Sequence, residues 1–332
     1  MAGVTRTAEA GRPRPHRWRR RLLVASGVLL VLAAIGLYAA SVLIVRSVFT
    51  HRVDKHRTTP AAMGMPSETI AVSSADGIAL KAWWVPSQRS ASRGIIIVLH
   101  GMDGLDASSM LGHARFLREA GYDAIALDMR AHGRSAGTRI GLAFEEPADV
   151  AAVLDWIKAQ PRLAHLPVAL VGISMGGATA IRTAAARPDV KAVISAGSFA
   201  SVDRMLAQFM RGMNIPAVAV TAWEPCMRLA LLTEYHVWPS RASPLADISR
   251  MNGRPILIVH GGSDDQIPVA HAGLLAGASN GRTSVWIVKG AGHIVFEGDA
   301  TGPESAEYRT RVLAFLEQAL VPSAAHESIV NR

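Results

Sequence analysis

From residue 67 onward, short apolar segments alternate with longer helical patterns. Residues 68–86 predict a β-hairpin that turns at Ala75-Asp76-Gly77, because Asp-Gly readily adopts the positive φ of tight turns. Six further segments are almost continuously apolar: 94–100, 122–129, 167–174, 190–197, 255–261 and 283–290. Such segments are typical of strands that helices bury on both faces. The alternation predicts an α/β fold with a mostly parallel sheet flanked by helices.

Helical patterns separate these strands, with one long interruption. They lie at about 105–120, 145–160, 175–187, 268–278 and 304–320. Residues 199–250 contain no strand pattern and are too long for a plain loop, so we expect a small helical cap there. Its Met and Trp side chains either line an apolar ligand pocket or form ordinary core. They are Met205, Met210, Met213, Trp223, Met227 and Trp238.

The N-terminal segment has a different composition. Residues 22–45 carry no charge, and this length suffices to cross a hydrocarbon core of about 30 Å. We expect a retained transmembrane helix, since the apolar region of a cleavable signal peptide is shorter. Seven Arg residues lie in the basic tail, residues 1–21. By the positive-inside tendency we expect this tail to be cytoplasmic and, with a single-pass topology, the domain that follows the helix to be periplasmic or extracellular.

The remaining boundaries follow from composition and charge. We expect a linker at 46–66, the α/β domain at 67–320 and a C-terminal tail at 321–332. Residues 1–57 contain eleven Lys or Arg and two acidic residues, which accounts for the whole net charge of +9. The neutral remainder argues against a nucleic-acid partner. The one cysteine, Cys226, excludes an intrachain disulfide, and we interpret it as a small buried hydrophobe rather than a reactive thiol.

The motif Gly172-Ile173-Ser174-Met175-Gly176-Gly177 stands between a predicted strand and a predicted helix. A nucleophile on such a tight turn projects from the sheet edge, and the helix N-terminus stabilises negative charge beside it. Glycines let the crowded turn close. The motif therefore predicts Ser174 as a catalytic nucleophile.

A serine nucleophile requires a histidine that takes its proton and an acid that orients the histidine. Asp264 follows the strand at 255–261, and His293 follows the strand at 283–290. Asp265 is the alternative acid, but the spacing of Asp-x-x-Ile-Pro favours Asp264. We expect Ser174, Asp264 and His293 to form a triad.

An acyl-transfer site also needs two backbone N–H groups for the oxyanion. We expect the amide of Met175 to supply one and the amide of Met102, with Asp103 as the alternative, to supply the other. The polar cluster of Asp128, Arg130 and His132 could be a second site, but we interpret it as structural. The motifs predict no cofactor and no metal site.

With these motifs the chain resembles the α/β-hydrolase superfamily over residues 67–320. The matching motifs are His100-Gly101, Asp128-x-Arg130-x-His132-Gly133-x-Ser135, Gly172-x-Ser174-x-Gly176-Gly177, Asp264-x-x-Ile267-Pro268 and Gly292-His293. Within the superfamily it is similar to membrane-anchored bacterial serine hydrolases of the esterase-like and serine-aminopeptidase-like groups. The serine sets it apart from dehalogenase relatives, which carry an aspartate at the elbow.

The resemblance implies an acyl-enzyme mechanism acting on a small-molecule or lipid-like acyl substrate. A carboxylic-ester hydrolase is the leading hypothesis. A peptidase or thioesterase with the same triad is the nearest alternative, because substrate selectivity lies in pocket contacts that no motif reports. A catalytically silent, membrane-attached binding protein is the alternative from another class, although it would not require all three triad groups. The sequence leaves the oligomeric state open.

Overall fold

A computed structural model of the chain describes residues 17–54, 58–102, 105–212, 215–293 and 305–320. Most of the predicted basic tail, the predicted C-terminal tail, Asp103 and Met213 lie outside the described residues.

The described strands form one eight-stranded sheet in the order β1-β2-β4-β3-β5-β6-β7-β8. They are β1 Glu68–Ser73, β2 Ala79–Val85, β3 Ile95–Leu99, β4 Asp123–Asp128, β5 Val168–Ile173, β6 Val190–Ala196, β7 Ile256–Gly261 and β8 Thr283–Val288. Strands β3 to β8 are mutually parallel, whereas β2 pairs antiparallel with both β1 and β4. The predicted hairpin turns with Gly77 at φ +84°.

Helices cover both faces of the sheet. The described helices are α1 Arg17–Phe49, α2 Leu111–Glu119, α3 Glu146–Ala159, α4 Met175–Ala186, α5 Val202–Gly212, α6 Ala217–Tyr235, α7 Pro244–Asp247, α8 Ala270–Ala278 and α9 Ala306–Leu320. Helices α3, α4 and α8 pack with the end of α1 on one face. Helices α2 and α9 pack on the other face. Every residue of β3, β4 and β5 is buried, as strands between two helical layers require.

The insertion between β6 and β7 is helical and contains α5, α6 and α7. The predicted fold class, a mostly parallel α/β sheet with a small helical cap, is therefore confirmed. Helix α5 begins six residues after the end of β6, so the cap stands at the carboxyl edge of the parallel strands.

Helix α1 is long and apolar enough to cross a membrane, and by its position near the N-terminus it could also be a signal sequence. Its last turns belong to the main hydrophobic core, because Val45 and Phe49 are buried there. Within the predicted linker, the Arg52 guanidinium donates to the carbonyl oxygens of Gly133 and Ser135. The buried side chains and these hydrogen bonds together fix the end of α1 to the domain.

A buried ion pair fixes the loop that follows β4. The Arg130 guanidinium donates to Asp149 on α3 at 2.7 and 3.1 Å and to Asp76 in the hairpin turn at 2.7 Å. The Asp149 side chain is fully buried and that of Arg130 is 4% exposed. Arg130 thereby ties the hairpin to a helix of the core.

Removal of the Arg130 side chain leaves the Asp149 carboxylate buried without its partner. We expect Arg130→Ala to lower the free energy of unfolding by about 3–5 kcal/mol, as breaking a buried pair does. Thermal unfolding in detergent, followed by circular dichroism, measures the change. Arg311→Ala is the control, because the Arg311–Glu307 pair is exposed and worth about 0–1 kcal/mol. Equal shifts for the two variants would contradict this role of Arg130.

Candidate active site

Ser174 stands on a strained turn between β5 and α4. Its backbone has φ +54° and ψ −118°, a conformation that L-residues rarely adopt. A methyl group at Gly172 would lie 2.1 Å from the Gly176 carbonyl oxygen, and one at Gly176 would lie 2.3 Å from the Leu99 carbonyl oxygen. Glycine is therefore required at both positions for the turn to close between β3 and α4. Ser174 remains partly exposed although its neighbours are buried.

His293 lies beside Ser174 although 119 residues separate them in sequence. Its Nε2 is 3.2 Å from Ser174 Oγ, and its Nδ1 is 2.8 Å from Asp264 Oδ2. An ionised carboxylate only accepts hydrogen bonds, so Nδ1 carries the proton and Nε2 is free to accept the serine proton. The three predicted triad residues thus form one continuous chain of hydrogen bonds.

Asp264 is held in place from the side opposite His293. Its Oδ1 accepts hydrogen bonds from the backbone amides of Gln266 and Ile267 at 3.0 and 2.8 Å. Burial raises the pKa of this carboxyl, but hydrogen bonds from His260, His293 and the Ile267 amide together outweigh burial and lower the pKa below its usual value. Asp264 is therefore ionised at neutral pH. The alternative acid, Asp265, is exposed.

A second histidine, His260, contacts the same carboxylate, and its position there was not predicted from the sequence. Its Nε2 lies 3.3 Å from Asp264 Oδ2 and 2.7 Å from the carbonyl oxygen of Ile267. Because the carbonyl only accepts, Nε2 carries the proton and also faces the carboxylate. His260 sits at the end of β7, four residues before the acid, and that position at the sheet edge was the available signal.

The two backbone segments that were predicted to supply the oxyanion donors lie beside Ser174. Met175 opens α4, and the first amides of a helix have no partner within the helix and carry its positive dipole end. The loop after β3 passes close by, since a methyl group at Gly101 would lie 3.3 Å from Ser174 Cβ. The predicted second donor, Met102, is the next residue of this loop.

The polar cluster after β4 supports the strand ends beneath the site. Asp128 accepts hydrogen bonds from the Ala107 amide and the Arg134 side chain, and Nδ1 of His132 lies 2.7 Å from the Arg130 carbonyl oxygen. Burial lowers the pKa of His100 to about 4, so the ring is neutral and its Nε2 accepts the Met129 amide. These contacts agree with a structural interpretation of the cluster.

Most of the described Met and Trp side chains of the cap pack internally. Met210 is buried, with Trp223 packed against the same small cluster, and Met227 belongs to the main core. Trp238 is 41% exposed. These positions favour the core interpretation over an acyl pocket. Cys226 is only half-buried, which corrects the expectation of a buried residue, and it faces the Ala34 carbonyl of α1.

A hydroxyl beside a histidine that a carboxylate orients has the groups that nucleophilic acyl chemistry requires. Across the described ranges, no group of three or more His, Cys, Asp or Glu side chains is placed to hold a metal ion.

The chain matches the family Hydrolase_4, described as serine aminopeptidase S33, over residues 90–229. The matched range contains Ser174 and ends before Asp264 and His293. Uncharacterized bacterial proteins are also similar to this chain, and YqkD and Rv2307c are two of them. YqkD of Bacillus subtilis is 24% identical over 283 residues, which cover 79% of this chain and 90% of YqkD. Rv2307c of Mycobacterium tuberculosis is 29% identical over 226 residues, 68% of this chain and 71% of that protein.

Solved structures of esterases share the fold. The Pyrococcus furiosus esterase Pf2001 superposes with a TM-score of 0.66 at 19% identity, covering 82% of this chain and 99% of the esterase. Est1E of Butyrivibrio proteoclasticus, solved with ferulic acid bound, gives a TM-score of 0.56 at 19% identity, covering 75% and 98%. At this identity the likeness shows a common fold.

The glycine at position 176 provides a test of the elbow geometry. We expect Gly176→Ala to abolish labelling of Ser174 by a fluorophosphonate and to destabilise the protein, because the added methyl group meets backbone of β3. Gly273→Ala on α8 is the control, since no atom lies within 4 Å of its added methyl group. In-gel fluorescence with the labelled probe and thermal unfolding measure both effects. Normal labelling of Gly176→Ala would show that the turn does not have this geometry.

Proposed function

We propose that this chain, a member of the α/β-hydrolase superfamily, is a serine hydrolase that cleaves carboxylic esters through an acyl-enzyme intermediate. The observation that carries the proposal is the chain of hydrogen bonds from Ser174 through His293 to Asp264 at a strained elbow. Backbone strain of this kind costs roughly 1–3 kcal/mol. Such strain is expected where it exposes a reactive hydroxyl.

In the first half of the reaction, Ser174 Oγ attacks the ester carbonyl carbon while His293 Nε2 takes the hydroxyl proton. Asp264 stabilises the imidazolium that forms. The carbonyl oxygen becomes negative in the tetrahedral intermediate, and in this proposal the amides of Met175 and Met102 donate to it. Collapse expels the alcohol, which receives the proton from His293, and leaves the acyl group on Ser174.

In the second half, water replaces the alcohol. His293 Nε2 takes a proton from the water as its oxygen attacks the acyl carbon. The second tetrahedral intermediate collapses to the carboxylic acid, and the proton returns from His293 to Ser174 Oγ. One histidine, His293, carries every proton in this scheme, because its Nε2 is the ring nitrogen that faces Ser174.

An ester substrate is supported by the esterases among the structures that share the fold. A peptidase is the second candidate, and the description of the matched family favours it. A thioesterase would use the same groups. A silent binding protein is less well supported, because binding alone does not require an oriented histidine or a strained serine.

We also propose that α1 is a retained membrane anchor with a cytoplasmic N-terminus and an external catalytic domain. Cleavage of α1 as a signal sequence after residue 41 would remove side chains that the folded domain buries. Ser41, Val45 and Phe49 of α1 are at most 2% exposed, so cleavage within this stretch would open the core.

Three matched variants test the catalytic proposal with a series of p-nitrophenyl esters from acetate to palmitate. We expect Ser174→Ala and Asp264→Asn to lower kcat by at least about 10⁴-fold. Asp265→Asn should retain nearly the parent rate, because Asp265 is exposed and lies outside the chain of hydrogen bonds. Stopped absorbance assays on purified full-length protein give the rates. Unchanged hydrolysis by Ser174→Ala would contradict the mechanism, and absence of hydrolysis by the parent would favour the peptidase.

The anchor proposal predicts that the mature chain keeps α1. Intact mass spectrometry of protein isolated from membranes should give the mass of the chain with residues 22–45 present, and alkaline carbonate should not extract it. A protein that begins after α1 and partitions into the soluble fraction would contradict retention.

A further inference from the structure

The cap helix α6 exposes a face on which no described residue is charged. Its exposed residues are Ala217, Val218, Ala219, Thr221, Ala222, Pro225, Leu229 and Thr233. Val218 is 78% exposed and Leu229 is 44% exposed. Positions 218, 222, 225, 229 and 233 follow helical spacing, so they form one continuous stripe. A helix that faces water normally carries its charges on this side.

The charged residues of α6 are instead paired within the protein. Arg228 contacts Glu224 at 2.6 Å and Asp203 of α5 at 3.0 Å, while Glu234 contacts Arg46 of α1 at 3.0 Å. The helix therefore turns its charges towards its protein neighbours and its uncharged side outward. This inverted arrangement suits an apolar surrounding medium.

Helix α6 also lies against the C-terminal half of α1. Trp223 Nε1 donates to Ser41 Oγ at 2.7 Å, and Tyr38 Oη donates to Thr233 Oγ1 at 3.1 Å. The Ala34 carbonyl lies 3.8 Å from Cys226 Sγ. The part of α1 that precedes these contacts in sequence is exposed. Leu29 and Leu30 there are 69% and 72% exposed.

The length of α1 sets the depth of these contacts. The uncharged stretch begins at Leu22, and about 20 helical residues cross a hydrocarbon core of about 30 Å. The core then ends near Ser41 or a few residues beyond, before Arg46. The contacts of α6 with Tyr38 and Ser41 therefore fall inside or at the edge of the bilayer. Tyr38 and Trp223 are the aromatic types that favour this boundary.

We propose that the exposed stripe of α6 is embedded in the lipid bilayer beside α1, in the leaflet nearest the catalytic domain. The proposal rests on the membrane anchor proposed above. It makes α6 an interfacial helix that enters the leaflet without crossing it. Because the cap stands at the carboxyl edge of the sheet that carries Ser174, this docking holds the active-site edge at the membrane surface.

Depth-dependent quenching tests the proposal on the full chain. The chain contains one cysteine, so Cys226→Ala gives a background for single cysteines labelled with bimane. The test positions are Val218→Cys and Leu229→Cys. Leu30→Cys on α1 is the positive control, and Thr310→Cys, exposed on α9 on the opposite face of the sheet, is the negative control. Each protein is reconstituted in phosphatidylcholine vesicles that contain nitroxide-labelled acyl chains.

We expect labels at 218 and 229 to be quenched by the nitroxide lipid to an extent close to that at 30, and to resist aqueous iodide. Quenching by iodide alone, as at 310, would overturn the proposal and leave α6 in water. Protection from both quenchers would also overturn it, because another protein surface, such as a second copy of the chain, would then cover the stripe. A label at 30 that is not quenched by lipid would contradict the anchor itself. The readout does not use hydrolysis, so a failure here is distinct from a failure of the catalytic proposal.

Discussion

The close approach of three backbone segments at the elbow is the constraint on which the active-site structure depends. The β3 end, the β5 end and the start of α4 meet where only glycine fits at positions 172 and 176. This contact forces Ser174 to φ +54° and lifts its hydroxyl out of a buried neighbourhood. The same geometry brings the α4 N-terminus and the loop after β3 close to Ser174, and in the proposed mechanism both would stabilise the negative charge of the intermediate. The tight backbone packing therefore sets both the exposure of the Ser174 hydroxyl and the position of the backbone segments beside it.

The second requirement is an acid that stays ionised while buried. Two backbone amides and two histidines surround Asp264, and their hydrogen bonds overcome the cost of burial. The carboxylate can then hold His293 in the tautomer that leaves Nε2 facing Ser174. His260 supports the acid from the protein interior, and therefore acts on the serine only through its neighbours. The parallel sheet makes this convergence possible, because the ends of β5, β7 and β8 lie along one edge.

The strands, the main helices and the order of the three site residues could be predicted from the sequence, because each rests on a local pattern: an apolar strand, a glycine-bounded turn or a polar residue after a strand. Contacts between segments that are far apart in sequence correspond to no local pattern, so they could not be predicted. The pairing of Arg130 with both Asp76 and Asp149, the position of His260 beside Asp264, and the packing of α6 on α1 depend on tertiary geometry. The same limit explains Cys226, whose environment is set by α1, a helix far away in sequence.

The most direct test of Ser174 as the nucleophile is to identify the residue that a fluorophosphonate modifies. The folded, full-length protein is treated with the probe, digested and analysed by tandem mass spectrometry, beside Ser174→Ala. We predict one phosphonylated residue, Ser174, and no adduct in the variant, since the Ser174 hydroxyl faces a histidine that a carboxylate orients. A folded protein that takes up no probe, or that carries the adduct on another residue, would contradict the assignment of Ser174 as the nucleophile.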